Sequence, residues 1–559
     1  MSQSPTNADL CWKCKNPVQK ARVNMNSSEL FTRFRSEYGT HASSAQQVDE
    51  VVDLCNKDLE DYEAEIARLQ GRILLLQKKQ KHLRIYRTNV RFLSSPVRRL
   101  PDEVLSIIFE FACDRNLIQE YPWSLDQNPP PTNLKSPAMA YIPVLSISST
   151  CSRWRSIAKS PSLWSKLQLE ITSKAATPEQ PDPFMEILDL FLSRSAQRLL
   201  EIKLSIIGDP QGTPLALEVL AQHTSRWKVF EFEATSLDNR RMVITEYLNT
   251  NAHLDFPNLE KLSIGNASSG VLDIFRSAPK IRRLRNWFIT LPSQLPYAQL
   301  THIACWAVSG RLDNLLDQCP NLLSLELRPS RKRNGSFHSM IHKTSDTIKF
   351  LTLVDNSATT DRLLELALSS LTLSELKELC IRRELSYNGY DAGWPKDLFT
   401  SFLSRSSCQL TKLVISSIGL SDTDLIAALQ LLPSLVILQL DDNDASPKIS
   451  PITSNFICAL EPLGALERSI SNSTLIPKLR YLSLNFSGNE FDDLGFISMI
   501  SSRWLLDSMD TEITGVERIR SVEMRFQERE VDATVYQPLQ LLDRMGLRVT
   551  VCGMNDTKI

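Results

Sequence analysis

The sequence predicts an α plus α/β protein: a long N-terminal heptad helix, a small helical module, then an irregular α/β solenoid. Three observations carry this reading. Apolar residues recur every seven positions across 45–93. Two short amphipathic blocks, rich in Leu, Ile and Trp, lie between Ser95 and Leu169. From about residue 170 onward an L-x-x-L-x-L pattern keeps returning. The chain divides accordingly into a polar tail (1–43), a coiled-coil-like helix (44–94), the two-block module (95–169) and the repeated region (170–559).

The tail is poor in apolar residues and is expected to be disordered. Its Cys11-Trp12-Lys13-Cys14 is a single Cys-x-x-Cys. Zinc would need two more ligands, and the nearest candidates, His41 and Cys55, stand at no zinc-finger spacing. The pair reads as two free thiols, with a zinc site as the open alternative. Over 559 residues the formal net charge is −1, with 42% hydrophobic and 23% charged residues. That is ordinary globular composition, and a neutral chain has no general attraction to nucleic acid or an anionic membrane. No apolar run approaches the ~18 residues of a spanning helix. Met1 to Leu10 lacks the apolar core of a signal peptide. The expected location is the cytoplasm or nucleus, where the eleven cysteines stay reduced.

The helix opens on Ser44 and Gln47, which have the spacing of a capping box. Two series of period seven follow. One is Val52, Leu59, Ile66, Ile73, Gln80 and Arg87; the other is Val48, Cys55, Tyr62, Leu69, Leu76, Leu83 and Val90. Together they make an a/d seam that turns polar only at two late positions. Ser94-Ser95-Pro96 ends a helix about 70 Å long. Gly71 inside it weakens it locally by roughly 1 kcal/mol. Charge is segregated: Asp49 to Glu65 holds eight acids and one Lys, and Ile66 to Arg99 holds ten Lys or Arg and no acid. The macrodipole acts only on the end turns, so it does not explain charges in mid-helix. An antiparallel pair would set acidic half against basic half, giving self-association through 45–93. Packing back onto its own chain is the other use of the seam.

Within 95–169 the first block is Leu100-Pro101-Asp102-Glu103-Val104-Leu105-Ser106-Ile107-Ile108-Phe109. Pro101 suits a first helical turn, and Asp102 and Glu103 complement its positive end. Val104, Leu105, Ile108 and Phe109 form one apolar face. In the second block Ile147, Cys151, Trp154 and Ala158 lie three or four apart, predicting a helix that ends at Ser160-Pro161. Leu163 and Trp164 follow. Between Phe109 and Val144 lie 34 residues with six prolines, which predicts a Pro-rich insert over about 114–142. Two short helices bury too little alone and need a partner surface.

The order Leu-Pro-x-Glu-Val-Leu-x-x-Ile-Phe, then Cys-x-x-Trp-x-x-Ile-Ala, then Pro-x-Leu-Trp resembles an F-box, with a longer insert than that family ordinarily uses. The resemblance implies a three-helix module that docks on a Skp-type adaptor of a cullin ubiquitin ligase. It implies a docking face drawn from Leu100, Pro101, Val104, Leu105, Ile108 and Phe109 of the first block and Cys151, Trp154, Ile157, Leu163 and Trp164 of the second. Some of these must instead hold the module together. If Trp154 or Trp164 lies at the interface, its replacement by Ala should cost ~2 kcal/mol or more of binding.

The repeated pattern appears at Leu199, Leu259, Leu322, Ile348, Leu376, Leu410, Leu435 and Leu479, with weaker copies near Phe230, Ile281 and Leu300. Amphipathic stretches lie between copies, as at Asp361 to Leu368, Lys396 to Ser404 and Asp422 to Leu432. A strand that buries alternate residues, returned by a helix, cannot bury its apolar side alone but can when stacked. This part resembles the leucine-rich-repeat class of F-box proteins, and the entire arrangement resembles the expanded F-box families of mushroom-forming fungi. Arg328-Pro329-Ser330-Arg331-Lys332-Arg333 is a basic loop between copies, read as a solvated loop, with nuclear import or an acidic partner as the alternative.

No Gly-x-Ser-x-Gly, His-Glu-x-x-His, Gly-Lys-Ser/Thr or Gly-x-Gly-x-x-Gly occurs. Cys319, just before a repeat, reads as a core thiol rather than a nucleophile. The expectation is therefore a non-catalytic substrate receptor with no cofactor, no metal, no nucleic acid and no membrane partner. It would dock on a Skp-type adaptor and cullin ligase and hold an unknown substrate protein on its repeats. The alternative is a coiled-coil/leucine-rich-repeat scaffold or sensor without ubiquitin chemistry.

Overall fold

The computed structural model of the chain describes residues 21–23, 27–36, 45–114, 116–119, 142–172, 183–207, 215–234, 254–265, 271–291, 293–309, 312–329, 341–356, 363–384, 393–442, 450–462, 474–488, 491–505 and 515–554. Cys11 and Cys14, most of the Pro-rich insert, and Arg331 to Arg333 lie outside them. The chain forms two units, Met1–Val104 and Leu105–Ile559.

The first unit holds helix α1 (Ser27–Ser36), helix α2 (Ala45–Leu93) and a 3-10 turn over Pro96–Arg99. Helix α1 falls in the tail expected to be disordered. Its apolar Leu30, Phe31 and Phe34 share one side, with Arg33 and Arg35 at the end that favours cations. Helix α2 runs unbroken through Gly71. It stops where Ser94 and Ser95 donate to the carbonyls of Arg91 and Phe92 at 3.1 Å and Pro96 follows. Within α2 the buried residue is Asp58. It accepts from the Arg22 backbone N–H and guanidinium at 2.7 Å and from the Val23 N–H at 3.3 Å. The apolar seam is not buried on the chain: Val48, Val52, Leu59, Ile66, Leu69, Ile73, Leu76, Leu83 and Val90 are all exposed.

The second unit is built on parallel strands. They are β1 (Leu117–Gln119), β2 (Lys166–Thr172), β3 (Leu200–Ile207), β4 (Trp227–Ala234), β5 (Lys261–Ile264) and β6 (Arg283–Thr290). Next come β7 (His302–Ser309), β8 (Ser324–Leu327), β9 (Lys343–Ser345), β10 (Phe350–Asn356), β11 (Leu371–Leu373) and β12 (Glu378–Glu384). Last are β13 (Lys412–Ser416), β14 (Ile437–Asp441), β15 (Tyr481–Phe486), β16 (Ser521–Phe526) and β17 (Arg548–Cys552). Strands β9 and β11 pair with each other, and the rest form one fifteen-stranded sheet in sequence order.

Each apolar copy delivers a strand, and the register explains why. Leu351 pairs with Leu379, Leu379 with Leu413, Leu413 with Leu438 and Leu438 with Leu482, all buried. One methylene-rich rung thus lies on the next, each Leu contributing roughly 2 kcal/mol of burial. The copy at Leu199 departs from the pattern. There Leu200 is buried instead, at a register shift in β3. The weaker copies near Phe230, Ile281 and Leu300 mark β4, β6 and β7; the chain enters β6 and β7 through short 3-10 turns at Val271–Ser277 and Tyr297–Gln299, and approaches β4 through a helix at Leu215–Ala221. Fuller returns are helical, as in Leu363–Ser370, Lys396–Ser406 and Asp422–Gln430. The sheet also begins earlier than the sequence boundary at 169/170. That boundary falls inside β2, and β1 comes from the insert expected to be an excursion loop.

Candidate docking surface

Helix α3 (Asp102–Ala112) carries acids in its first turn and is apolar on two sides. Leu105, Phe109 and Cys113 are four apart and buried. Burial pushes the Cys113 thiol up to about 11. On the other side Ile107 and Ile108 are 55% and 44% exposed and Phe111 is 80% exposed. Val104, one turn earlier in the same helix, is exposed as well. A short helix that is apolar on two sides has one face too many for its own core.

The second block does not make one helix. It forms α4 (Pro143–Thr150) and α5 (Ser152–Ile157), with Cys151 extended between them at φ −159° and ψ 169°. The cause is the hydroxyl run. Ser148, Ser149 and Thr150 donate to the carbonyls of Leu145, Ser146 and Ser146, satisfying the end of α4 locally. The Cys151 sulfur then caps α5 by accepting from the Trp154 N–H at 3.4 Å. A 3-10 turn follows over Pro161–Trp164.

The expected docking residues divide by burial. Leu105, Phe109, Leu163 and Trp164 are interior. Phe109 meets Trp154 edge-on at 4.9 Å, and Trp164 meets Phe191 edge-on at 4.9 Å. The Trp164 indole N–H donates to the Ala158 carbonyl at 2.7 Å, and Arg194 lies over its ring. Replacing Trp164 by Ala therefore removes core, not interface. Cys151, Trp154 and Ile157 are half-buried. In the first unit Leu100 is half-buried, and Pro101 is exposed. Ile108 is the member of the second unit's share that is exposed.

Three residues escaped the sequence reading. Ile107 and Phe111 belong to the outward stripe, which the spacing i, i+3, i+4, i+7 from Val104 marks as well as it marks the inward one. Asn116 is the third. It is wholly buried, and its amide donates to the carbonyls of Cys113, Leu163 and Lys166 at 3.1–3.3 Å. Its side-chain oxygen accepts from the Val144 N–H at 3.5 Å. One side chain thus ties the end of α3, the start of α4 and the 3-10 turn, and so closes the long insert at its base.

On the sheet, β8 to β16 present an open groove of about 620 Å³ lined by Arg328, Arg382, Ser416, Asp441, Asn485 and Arg525 among others. It is charged with both signs. Cys319 is buried, and burial pushes its thiol up to about 12. Among the described residues no group of His, Cys, Asp and Glu is placed to hold a metal ion, and no helix is long and apolar enough to cross a membrane.

Residues 97–170 match the F-box-like family. The match takes in α3, α4, α5, the 3-10 turn, β1 and the start of β2. No curated protein matches the chain.

Proposed function

We propose that the chain is the substrate-recognition subunit of an SCF-type (cullin) E3 ubiquitin ligase. The F-box-like module docks on a Skp-type adaptor, and the strand array, a ragged leucine-rich-repeat solenoid, holds a substrate protein. The chain itself is non-catalytic, works in the cytoplasm or nucleus, and raises the effective concentration of a target lysine near a conjugating enzyme. The observation that carries the reading is the outward stripe of α3, Ile107, Ile108 and Phe111, inside the matched residues. It is apolar, aromatic at its edge and left open by the chain's own core, which is how an anchor for a partner looks. The charged groove of the sheet is the substrate face in this reading.

The test is capture of a Skp-type adaptor by the full chain, alongside Ile107→Asp/Phe111→Asp. The double change should reduce affinity at least ~30-fold, as for loss of ~2 kcal/mol at an anchor, with thermal unfolding unchanged. Leu105→Asp serves as contrast, since it should unfold the module. Failure of the folded wild-type chain to bind would sink the reading and leave the scaffold alternative.

A further inference from the structure

Helix α2 carries a surface that the docking reading does not use. Its seam is mostly apolar, open to solvent over about twelve turns from Val48 to Val90 except at half-buried Cys55 and Tyr62, and flanked by charges of opposite sign in its two halves. We propose that a second copy of the chain covers this seam as an antiparallel coiled coil in one register, with Ile66 of each copy facing Leu69 of the other.

The flanking charges select this arrangement. With Val52, Leu59 and Ile66 at a and Cys55, Tyr62 and Leu69 at d, positions 58, 65, 72 and 79 are g, and 49, 63, 70 and 84 are e. A parallel pair brings g against the e of the next heptad. Asp58 would then face Glu63, and Lys79 would face Arg84, each a like-charge contact. An antiparallel pair brings g against g and e against e. In the proposed register Glu65 faces Arg72 of the second copy, Asp58 faces Lys79, and Asp49 faces Arg84. Shifting by one heptad either way sets Arg72 against its own copy, or Glu63 and Glu65 against theirs. Only the proposed register contains no like pair.

The core layers agree. Val52 faces Leu83, Leu59 faces Leu76, Tyr62 faces Ile73, and Ile66 faces Leu69. The polar seam residues Gln80 and Arg87 fall outside these, against Cys55 and Val48 near the ends, where a long side chain reaches water. Two charges are already engaged: Asp58 is bound by Arg22, and Glu65 pairs with Arg68 on its own helix. The apolar layers thus supply affinity, and the charges choose register. The two-fold axis passes beside Ala67 and Arg68, so the two helix C-termini leave from opposite ends, about 75 Å apart.

Sedimentation equilibrium on the full chain tests this. The expected mass is twice the 63.4 kDa of one chain. Glu65→Arg and Arg72→Glu should each weaken the dimer about tenfold or more, because each turns two opposite pairs into two like pairs. The double change should restore it. An independent cycle, Asp49→Arg with Arg84→Asp, should behave alike near the ends. A monomer at about 100 µM, or a dimer indifferent to the single reversals, or double changes no stronger than the singles, overturns the proposal.

Discussion

Asp442 follows β14 with its backbone N–H donating to the Asn485 carbonyl at 2.9 Å. Burial pushes its carboxyl up to about 6; the Ser450 hydrogen bond opposes this and neighbouring Asp441 adds to it. The folded value thus stands above the unfolded one, so the protonated form is favoured by folding. That contribution is full below about pH 4 and is lost as pH rises through 6. At neutral pH the buried carboxylate is a cost. Asp442→Asn should therefore raise stability at pH 7.5 by about 1–3 kcal/mol and leave it unchanged at pH 4. Thermal unfolding at the two pH values checks it, and equal shifts at both would refute a titration origin. Trp164 teaches a related lesson at this scale. A tryptophan in a docking motif looks like an anchor, yet its burial against Phe191 makes it a strut.

Among elements, α5 depends most visibly on one residue. It is six residues long, too short to persist without help, and the Cys151 sulfur supplies its N-cap. Cys151→Ala should cost about 0.5–1 kcal/mol, and Cys151→Ser, a stronger cap, should equal or exceed wild type. Chemical denaturation distinguishes this role from a docking role, in which both changes would weaken adaptor capture and neither would move the midpoint. The break before α5 was not legible in spacing, because apolar residues at Ile147, Cys151, Trp154 and Ala158 run straight through it. What ended α4 was hydroxyls turning back on their own carbonyls. Helix α2 was legible because its period holds over many turns. The outward stripe of α3 was not separated from the inward one, since both have helical spacing and only the packing of Leu105 and Phe109 tells them apart. Strand β1 was illegible for another reason: its partner lies about fifty residues on, across prolines, and Asn116 fixes the approach through four hydrogen bonds.

Across the whole molecule the second unit joins neighbours in sequence to neighbours in space. Strand order follows chain order through fifteen strands, so each rung touches only the one before and the one after. The pattern that predicted this, three apolar positions per copy, was readable because every rung meets the same demand. The lengths between rungs were not informative, since a 3-10 turn and a longer helix both return the chain. Such a stack should fail locally. Leu413 is wholly buried between Leu379 and Leu438. Leu413→Ala leaves a void there and should cost about 2–5 kcal/mol. If strands couple only to their neighbours, hydrogen exchange should speed in β12, β13 and β14, while amides of β2 to β5 keep their protection. Acceleration spread evenly from β2 to β17 would instead mean that the sheet unfolds as one block. Local failure would have a functional consequence as well: a damaged groove near Arg382 and Asp441 would lose its substrate while the α3 stripe still bound its adaptor, so the two activities should be separable by where along the stack a rung is cut.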